Sequence, residues 1–332
     1  MKVIIPVAGR GTRLRPHTHT KPKPLVTVAG KPVLGHVLDT LGNLRPDEII
    51  FIVGYLGEQI EEYVESHYDF AARYVEQKEL KGQAHAIGLA KEYIDGPVLI
   101  IFVDTIADAN LDMLPRLEAD GAIFVKQVED PRRFGVVTLD EQGYITRFVE
   151  KPDRPISNLA VIGIYYLKDS ALMFECIDEL IARDIQTKGE YYLADALQLM
   201  VDRGSRLVAP TVEVWEDCGT PEAVLQTNRY LLENGRAEDA SSDAINSVII
   251  SPVHIHPTAH IRNSVIGPYV TVAAGCRIED SIIRDSIIDE GSIIVDTMLD
   301  RSLIGKDAFV KGRFRRLNVG DSASVDFSSD GD

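Results

Sequence analysis

The chain is short of cysteine, of net positive charge and of long apolar runs, and each shortage removes a class of protein. Its three cysteines, Cys176, Cys218 and Cys276, are too few and too scattered for a disulfide framework or a zinc site, so they read as reduced thiols of a cytoplasmic protein. With 35 Lys and Arg against 51 Asp and Glu, the formal charge is -16. A surface of that sign repels polyanions, so no nucleic-acid partner is expected and any anion site has to be local. No apolar run approaches the roughly eighteen residues of a membrane span. Met1-Lys2 leads straight into a strand-like run, so neither a signal peptide nor a membrane partner is expected. Nor is there a Ser-His-Asp or Cys-His spacing that would supply a protein nucleophile. What the chain does have is 332 residues, 45% of them hydrophobic, which suffices for a sizeable core and suggests two domains.

From Met1 to about Asp104, short apolar runs alternate with helical spacing. Val33–Leu44 puts Leu34, Val37, Leu38 and Leu41 on one helical face, and Leu56–His67 repeats the spacing with Ile60, Tyr63, Val64 and His67. Glu48–Val53, Arg73–Gln77 and Val98–Val103 suit strands, and Ala84–Tyr93 suits a further helix. Such alternation implies a mostly parallel sheet with helices on both faces. The middle is strand-rich, with runs at Gly121–Val128, Phe134–Leu139, Ile145–Glu150 and Leu159–Leu167. Helices are predicted over Ser170–Arg183 and Tyr191–Arg203, a strand over Leu207–Trp215 and a closing helix over Glu222–Glu233. The polar stretch Asn234–Asp243 reads as a linker.

Beyond the linker the texture changes. The tetrapeptides Asn246–Ile249, Asn263–Ile266, Asp280–Ile283 and Asp296–Leu299 recur at offsets of about 16 to 17 residues. Aliphatics fall at six-residue steps in four sets: Ile249, Ile255 and Ile261; Ile266, Val272 and Ile278; Ile282, Ile288 and Ile294; Met298, Ile304 and Val310. This predicts a parallel β-helix of about four coils, each strand sending one aliphatic inward. Its open end needs a cap or a partner subunit, for which the basic run Lys311–Arg316 is a candidate, and Ser328–Asp332 reads as a frayed terminus.

In open α/β sheets, ligands lie beyond the carboxyl ends of the strands, which singles out Ala8–Pro16, Gln77 and Asp104. The first of these carries Gly9 and Gly11, which let the backbone approach an anion closely. Arg10, Arg13, Arg15 and Lys23 add cations suited to phosphate oxygens. The spacing is neither the Walker pattern nor the dinucleotide fingerprint, since Leu14 stands where a third glycine would be. The whole string Gly9-x-Gly11-Thr12-Arg13-Leu14-x-Pro16, followed by Pro22-Lys23-Pro24, closely resembles the signature of the sugar-1-phosphate nucleotidylyltransferases. With Glu150-Lys151-Pro152 and Trp215-Glu216-Asp217-Cys218-Gly219-Thr220, the chain is most similar to the long glucose-1-phosphate thymidylyl- and uridylyltransferases.

The resemblance implies a Rossmann-like catalytic domain over residues 1–235, a linker over 236–243 and a short left-handed β-helix of hexapeptide-like repeats over 244–327. It implies that the phosphate oxygen of a sugar 1-phosphate attacks the α-phosphorus of a nucleoside triphosphate, with glucose 1-phosphate and dTTP or UTP favoured, releasing pyrophosphate. The nucleophile is already an anion, so positioning and charge neutralisation replace a general base. By resemblance, Arg13 holds the β- and γ-phosphates, Lys23 the α-phosphate and Lys151 the sugar phosphate, while Glu150 accepts from sugar hydroxyls. Ala8, Gly9, Gly11 and Thr12 complete the phosphate loop, with Arg10 and Arg15 as outer helpers. Asp104 and Asp217 share Mg2+ in this picture, although the family's first metal motif reads Gly-Asp where this chain has Val103-Asp104. Gln77 and Gly82 meet the base, the amide pairing with the imide edge of uracil or thymine. Gly135, Asn158 and Ile162 serve the sugar hydroxyls. A homo-oligomer formed through the β-helix is expected.

Three alternatives stand beside this reading. One is a mannose-1-phosphate guanylyltransferase. Another is a catalytically silent regulatory or scaffolding subunit, against which Arg13, Lys23, Asp104 and Asp217 speak. The third is acyl transfer by His254, His256 and His260 in the β-helix, where a structural or oligomerising role is the stronger reading.

Overall fold

The computed structural model describes residues 1–42, 44–154, 156–239 and 244–312. They fall into two compact units, divided between Arg236 and Ala237. Part of the polar stretch before Ala244, most of the basic run Lys311–Arg316 and the terminus Ser328–Asp332 lie outside the described residues.

The strands of the first unit are β1 (Lys2–Pro6), β2 (Thr27–Val28), β3 (Lys31–Pro32), β4 (Ile49–Val53), β5 (Ala72–Glu76), β6 (Val98–Ile101) and β7 (Thr105–Ala107), then β8 (Gly121–Gln127), β9 (Gly135–Leu139), β10 (Ile145–Glu150), β11 (Leu159–Leu167), β12 (Leu207–Val208) and β13 (Trp215–Asp217). Its helices are α1 (Val33–Thr40), α2 (Gly57–His67), α3 (Gln83–Gly88), α4 (Ser170–Ala182), α5 (Leu193–Asp202) and α6 (Pro221–Leu231). A nine-stranded sheet runs β10-β9-β11-β6-β1-β4-β5, with β8 also paired to β11 and β12 to β8.

The half built from residues before Asp104 is parallel throughout, β6-β1-β4-β5. Val3–Ile5, Ile49–Ile52 and Val98–Ile100 are buried along their whole length, which is why these strands are continuous apolar runs rather than alternating ones. β11 then enters antiparallel to β6 and to both β8 and β9, so the sheet is mixed beyond that point.

Three elements differ from the sequence pattern, each for a local reason. The helix expected to reach Tyr93 stops at Gly88 and resumes as a 3-10 turn, Lys91–Tyr93. A Cβ on Gly88 would lie 3.3 Å from Ile177 of α4, so the glycine serves close helix packing and weakens the helix it ends. Leu207–Trp215 is not one strand: β12 breaks at Pro210, which has no N–H to give to a ladder, the chain stays beside β8 through the Thr211–Val125 bridge, and it bends at Glu213. The Pro210 carbonyl accepts from Val125 N, and Trp215–Asp217 then pairs with β7 instead. The strand from Val98 ends at Ile101, where Phe102 N donates to Gly163 O. Gly163, at φ +85, lies in a register break of the β8–β11 ladder that bends β11 beside the loop carrying Asp104.

The second unit is three stacks of short parallel strands, the build of a left-handed hexapeptide solenoid. Ile261, Ile278, Ile294 and Val310 align in one inward column, and Ile255, Val272, Ile288 and Ile304 in another. The third column is Ile249, Ile266, Ile283 and Leu299. The strict six-residue step put Ile282 and Met298 inside; they are instead 37% and 64% exposed. The later coils repeat every 16 residues rather than 17, as Val272↔Ile288 against Ile255↔Val272 shows, and the missing residue shifts the inward position by one. The coil corners are Asn246, Asn263, Asp280 and Asp296, all at positive φ, a backbone region that Asn and Asp tolerate better than other non-glycine residues.

Candidate active site

Two adjoining clefts, of about 500 and 530 Å³, lie at the carboxyl ends of the parallel strands in the first unit. Arg13, Gln83, Phe102, Asp104 and Glu190 line both, so these residues form the shared wall.

The first cleft is bordered by the loop after β1, by Lys23 and by Gln77 and Gly82, so the residues predicted for the nucleotide, apart from the outer helpers Arg10 and Arg15, lie on it. Among the described residues, the backbone amides of Ala8 through Arg13 donate no hydrogen bond within the protein. A run of free N–H groups on a glycine-containing turn is a cradle for anionic oxygen. Gly11 adopts φ +59, and a Cβ there would come within 2.8 Å of Lys23 Cβ and 3.1 Å of Thr18 Cγ2. The Thr18 hydroxyl donates to Gly11 O at 2.8 Å, pinning the turn, and Leu14 is fully buried beneath it. Arg13 therefore projects from an anchored turn. Arg10 and Arg15 are exposed and line neither cleft.

The antiparallel ribbon of β7 and β13 brings the two aspartates to one place. Thr105 stands opposite Asp217, and Cys218 N donates to Asp104 O at 2.9 Å. Lys23 Nζ lies 3.5 Å from Asp104 Oδ2, so the loop cation and the first aspartate meet in the shared wall. Asp217 is held by its own neighbours: Gly219 N donates to Oδ1 at 2.8 Å, and the Thr227 hydroxyl donates to its carbonyl at 2.8 Å. A Cβ on Gly219 would sit 2.9 Å from Asp217 Oδ1 and 3.2 Å from Arg13 Nη2, which shows how closely cation and carboxylate flank that peptide. Burial pushes the Cys218 thiol up to about 12, so it stays protonated between the aspartates and acts as filler rather than nucleophile.

The second cleft holds Gly135, Glu150, Lys151, Ile162 and Asp217. Gly135 faces Glu150 across β9 and β10, where a Cβ would meet Glu150 Oε2 at 2.8 Å. Lys151, in the left-handed region at φ 44, turns its ammonium to 3.4 Å from Glu150 Oε1 and donates to the Tyr192 hydroxyl at 3.3 Å. Burial raises the Glu150 pKa and outweighs the lowering effect of Lys151. For Lys151, desolvation pulls downward, but the Tyr192 and Glu150 contacts together raise it, so it stays a cation. Ile162 is buried, and its carbonyl accepts from the Thr105 hydroxyl at 3.3 Å. Asn158 is not brought here: it is exposed, lines neither cleft and accepts through its carbonyl from Val128 N. It sits one residue before β11, where the β8–β11 ladder begins and away from the bend at Gly163.

Sequence reasoning missed Glu190, Tyr192, Arg133 and Lys188. Glu190 stands in the shared wall, Arg133 lines the second cleft, and Lys188 Nζ reaches Lys151 O at 3.4 Å. No periodicity marks them; the one signal was that 187–192 is a polar-aromatic segment leading into a helix. The β-helix histidines do not gather into a comparable site. His254 Nδ1 is 4.0 Å from Glu238 Oε2, His256 is bonded to the Thr258 hydroxyl, and His260 is exposed on a separate strand.

The family model described as nucleotidyl transferase matches residues 2–234. The low-salt glycan biosynthesis nucleotidyltransferase Agl11 of Haloferax volcanii is 32% identical over 98% of this chain and 99% of its own length. A glucose-1-phosphate thymidylyltransferase of Streptomyces griseus is 29% identical over 99% of this chain and 100% of its own. Among solved structures, UDP-glucose pyrophosphorylase complexed with UDP-glucose matches with a TM-score of 0.62 at 25% identity, over 70% of this chain and 98% of that one.

Proposed function

The chain belongs to the nucleotidyl transferase family, and from that premise we propose that it transfers the nucleotidyl group of UTP or dTTP to glucose 1-phosphate. The observation that carries this reading is the pair of adjoining clefts with Arg13 and Asp104 in their common wall. One cleft offers free amides and two cations to a triphosphate. The other offers Lys151 to a phosphate and half-buried Glu150 to hydroxyls. A sugar phosphate oxygen bonds to the α-phosphorus as the α–β bridging bond breaks, and pyrophosphate leaves with the electron pair. Lys23 neutralises the reacting phosphate, Arg13 the departing ones, and Lys151 orients the attacking one.

Mg2+ is part of the same proposal. Asp104 and Asp217 are hard oxygen donors, and Mg2+ is commonly held by one or two carboxylates plus substrate phosphates and water. Among the described residues, no group of three or more His, Cys, Asp and Glu forms an all-protein cage. When bound, the ion would spread the charge of the triphosphate and leaving group. Homo-oligomerisation through the β-helix also belongs here. Val248, Val265, Ile282 and Met298 stack on one outer face of the solenoid, a continuous aliphatic column. The three buried, unpaired cysteines suit action in the cytoplasm.

Pyrophosphate release from UTP, dTTP, CTP, ATP and GTP, each crossed with glucose, galactose, mannose and N-acetylglucosamine 1-phosphates, tests the reading. Turnover is expected with UTP or dTTP and glucose 1-phosphate in the presence of Mg2+. Folded protein silent across the panel would sink it, and GTP with mannose 1-phosphate alone would replace it.

A further inference from the structure

At the base end of the nucleotide cleft, the Gln77 amide nitrogen stands 3.3 Å from Gly82 O and 3.1 Å from His85 Nδ1. An amide NH2 has two protons and no usable lone pair, so both contacts are donations. The second requires a bare Nδ1, which makes His85 the neutral tautomer protonated at Nε2. With both protons committed inside the protein, the amide presents Oε1 to the cleft, and that oxygen has no protein partner among the described residues. The loop is stapled so that it cannot rotate away. Tyr191 N donates to Lys81 O at 3.0 Å and Ala84 N to Tyr191 O at 2.9 Å. Gly82, at φ +107, packs so tightly that a Cβ would lie 2.6 Å from Tyr191 O.

We infer that His85 is a positioning residue for base selection: its bare Nδ1, with the Gly82 carbonyl, holds the Gln77 amide oxygen toward the base. The site then accepts a ring N–H, which uracil and thymine present, and rejects cytosine, whose ring nitrogen is itself an acceptor. This rests on the proposed transfer from a pyrimidine triphosphate. Burial lowers the His85 pKa; Lys81 lowers it further, and Glu79, ion-paired to Lys81, raises it. The neutral ring thus persists further into acid than in a free histidine. Below that pKa, Nδ1–H opposes the amide NH2, the amide turns over, and the base meets a donor instead of an acceptor.

The test uses the full chain, with kcat and KM for the better of UTP and dTTP and for CTP. Calorimetric Kd values for the same triphosphates without sugar phosphate supply a second readout. Absence of turnover by the wild type with any pyrimidine triphosphate would defeat the transfer reading, separately from His85. Given turnover, folded His85→Leu is expected to raise KM and Kd for the preferred triphosphate about 10-fold and to cut its preference over CTP about 10-fold, with kcat within about 3-fold. His85→Asn, which returns an acceptor oxygen near the place of Nδ1, is expected to restore most of the preference and to flatten its pH dependence. An unchanged preference in folded His85→Leu overturns the inference, as does a fall in kcat at constant preference. If the leucine variant does not fold, the asparagine variant decides: a preference that collapses in acid as steeply as the wild type's overturns it.

Discussion

The two units of the molecule are held together over different distances along the chain. In the β-helix each coil leans on the next: Asn263 Nδ2 donates to Asp280 Oδ1 and Ser264 N to Ser247 Oγ across 17 residues, and Thr297 N to Ser281 Oγ across 16. In the first unit, Ala29 N donates to Asn228 Oδ1 across 199 residues, and Asp104 meets Cys218 on a ribbon whose strands come from distant segments. A solenoid is stabilised neighbour by neighbour, so damage to it should appear as lost stability. A site assembled by convergence concentrates charge on a few half-exposed groups, so damage there should appear as lost turnover.

Asp104→Asn draws the contrast most sharply. Removing a metal-binding carboxylate is expected to lower kcat about 10³-fold or more. Stability should barely move, because the side chain is 48% exposed and its pair with Lys23 is worth at most about 1 kcal/mol. Pyrophosphate assays beside melting curves check both, and comparable losses in the two would break the distinction. Ile278→Ala probes the other side. Its side chain is fully buried in the inward column, so about 2–5 kcal/mol of stability should be lost in denaturant titration, with kcat of folded protein within about twofold. A collapse of kcat in that variant would show the solenoid to be part of the chemistry. Lys151→Met comes next, with KM for the sugar 1-phosphate rising about 10- to 100-fold and KM for the triphosphate little changed.

The same difference in range explains what could be read from the sequence. The repeat of Asn246, Asn263 and Asp280 is written in the chain because each coil meets the same neighbours, and the one slip, at Ile282 and Met298, came from a coil one residue short. The parallel strands were legible because burial on both faces leaves continuous apolar runs. The antiparallel entry of β11, the strand break at Pro210 and the bend at Gly163 depend on what lies across the sheet, which periodicity does not encode. In the candidate site, Arg13, Lys23, Asp104, Lys151 and Asp217 were found through motif resemblance. Tyr192 and Glu190 were not, because they matter only through partners that the fold brings to them.

Glu150 gives the smallest effect and the one place where stability and function should oppose each other. Its pKa is raised because burial disfavours the carboxylate more than Lys151 favours it. A carboxyl whose folded pKa lies above its unfolded value contributes stability below the unfolded pKa, and that contribution is lost as pH rises through the folded one. At neutral pH the ionised group therefore weakens the fold, and Glu150→Gln should melt at a higher temperature than the wild type, the gap closing as pH falls below the ordinary glutamate range. Activity runs the other way. The ionised carboxylate is the better acceptor for sugar hydroxyls, so KM for glucose 1-phosphate should rise as pH falls through the raised pKa, at a pH where an exposed glutamate would still be charged. Glu150→Gln should show a KM a few-fold higher and flat over that range, since its amide keeps one acceptor oxygen. Melting curves and sugar KM profiles across the same pH series measure both signs. A variant that gains stability without losing sugar affinity would place Glu150 outside the sugar site.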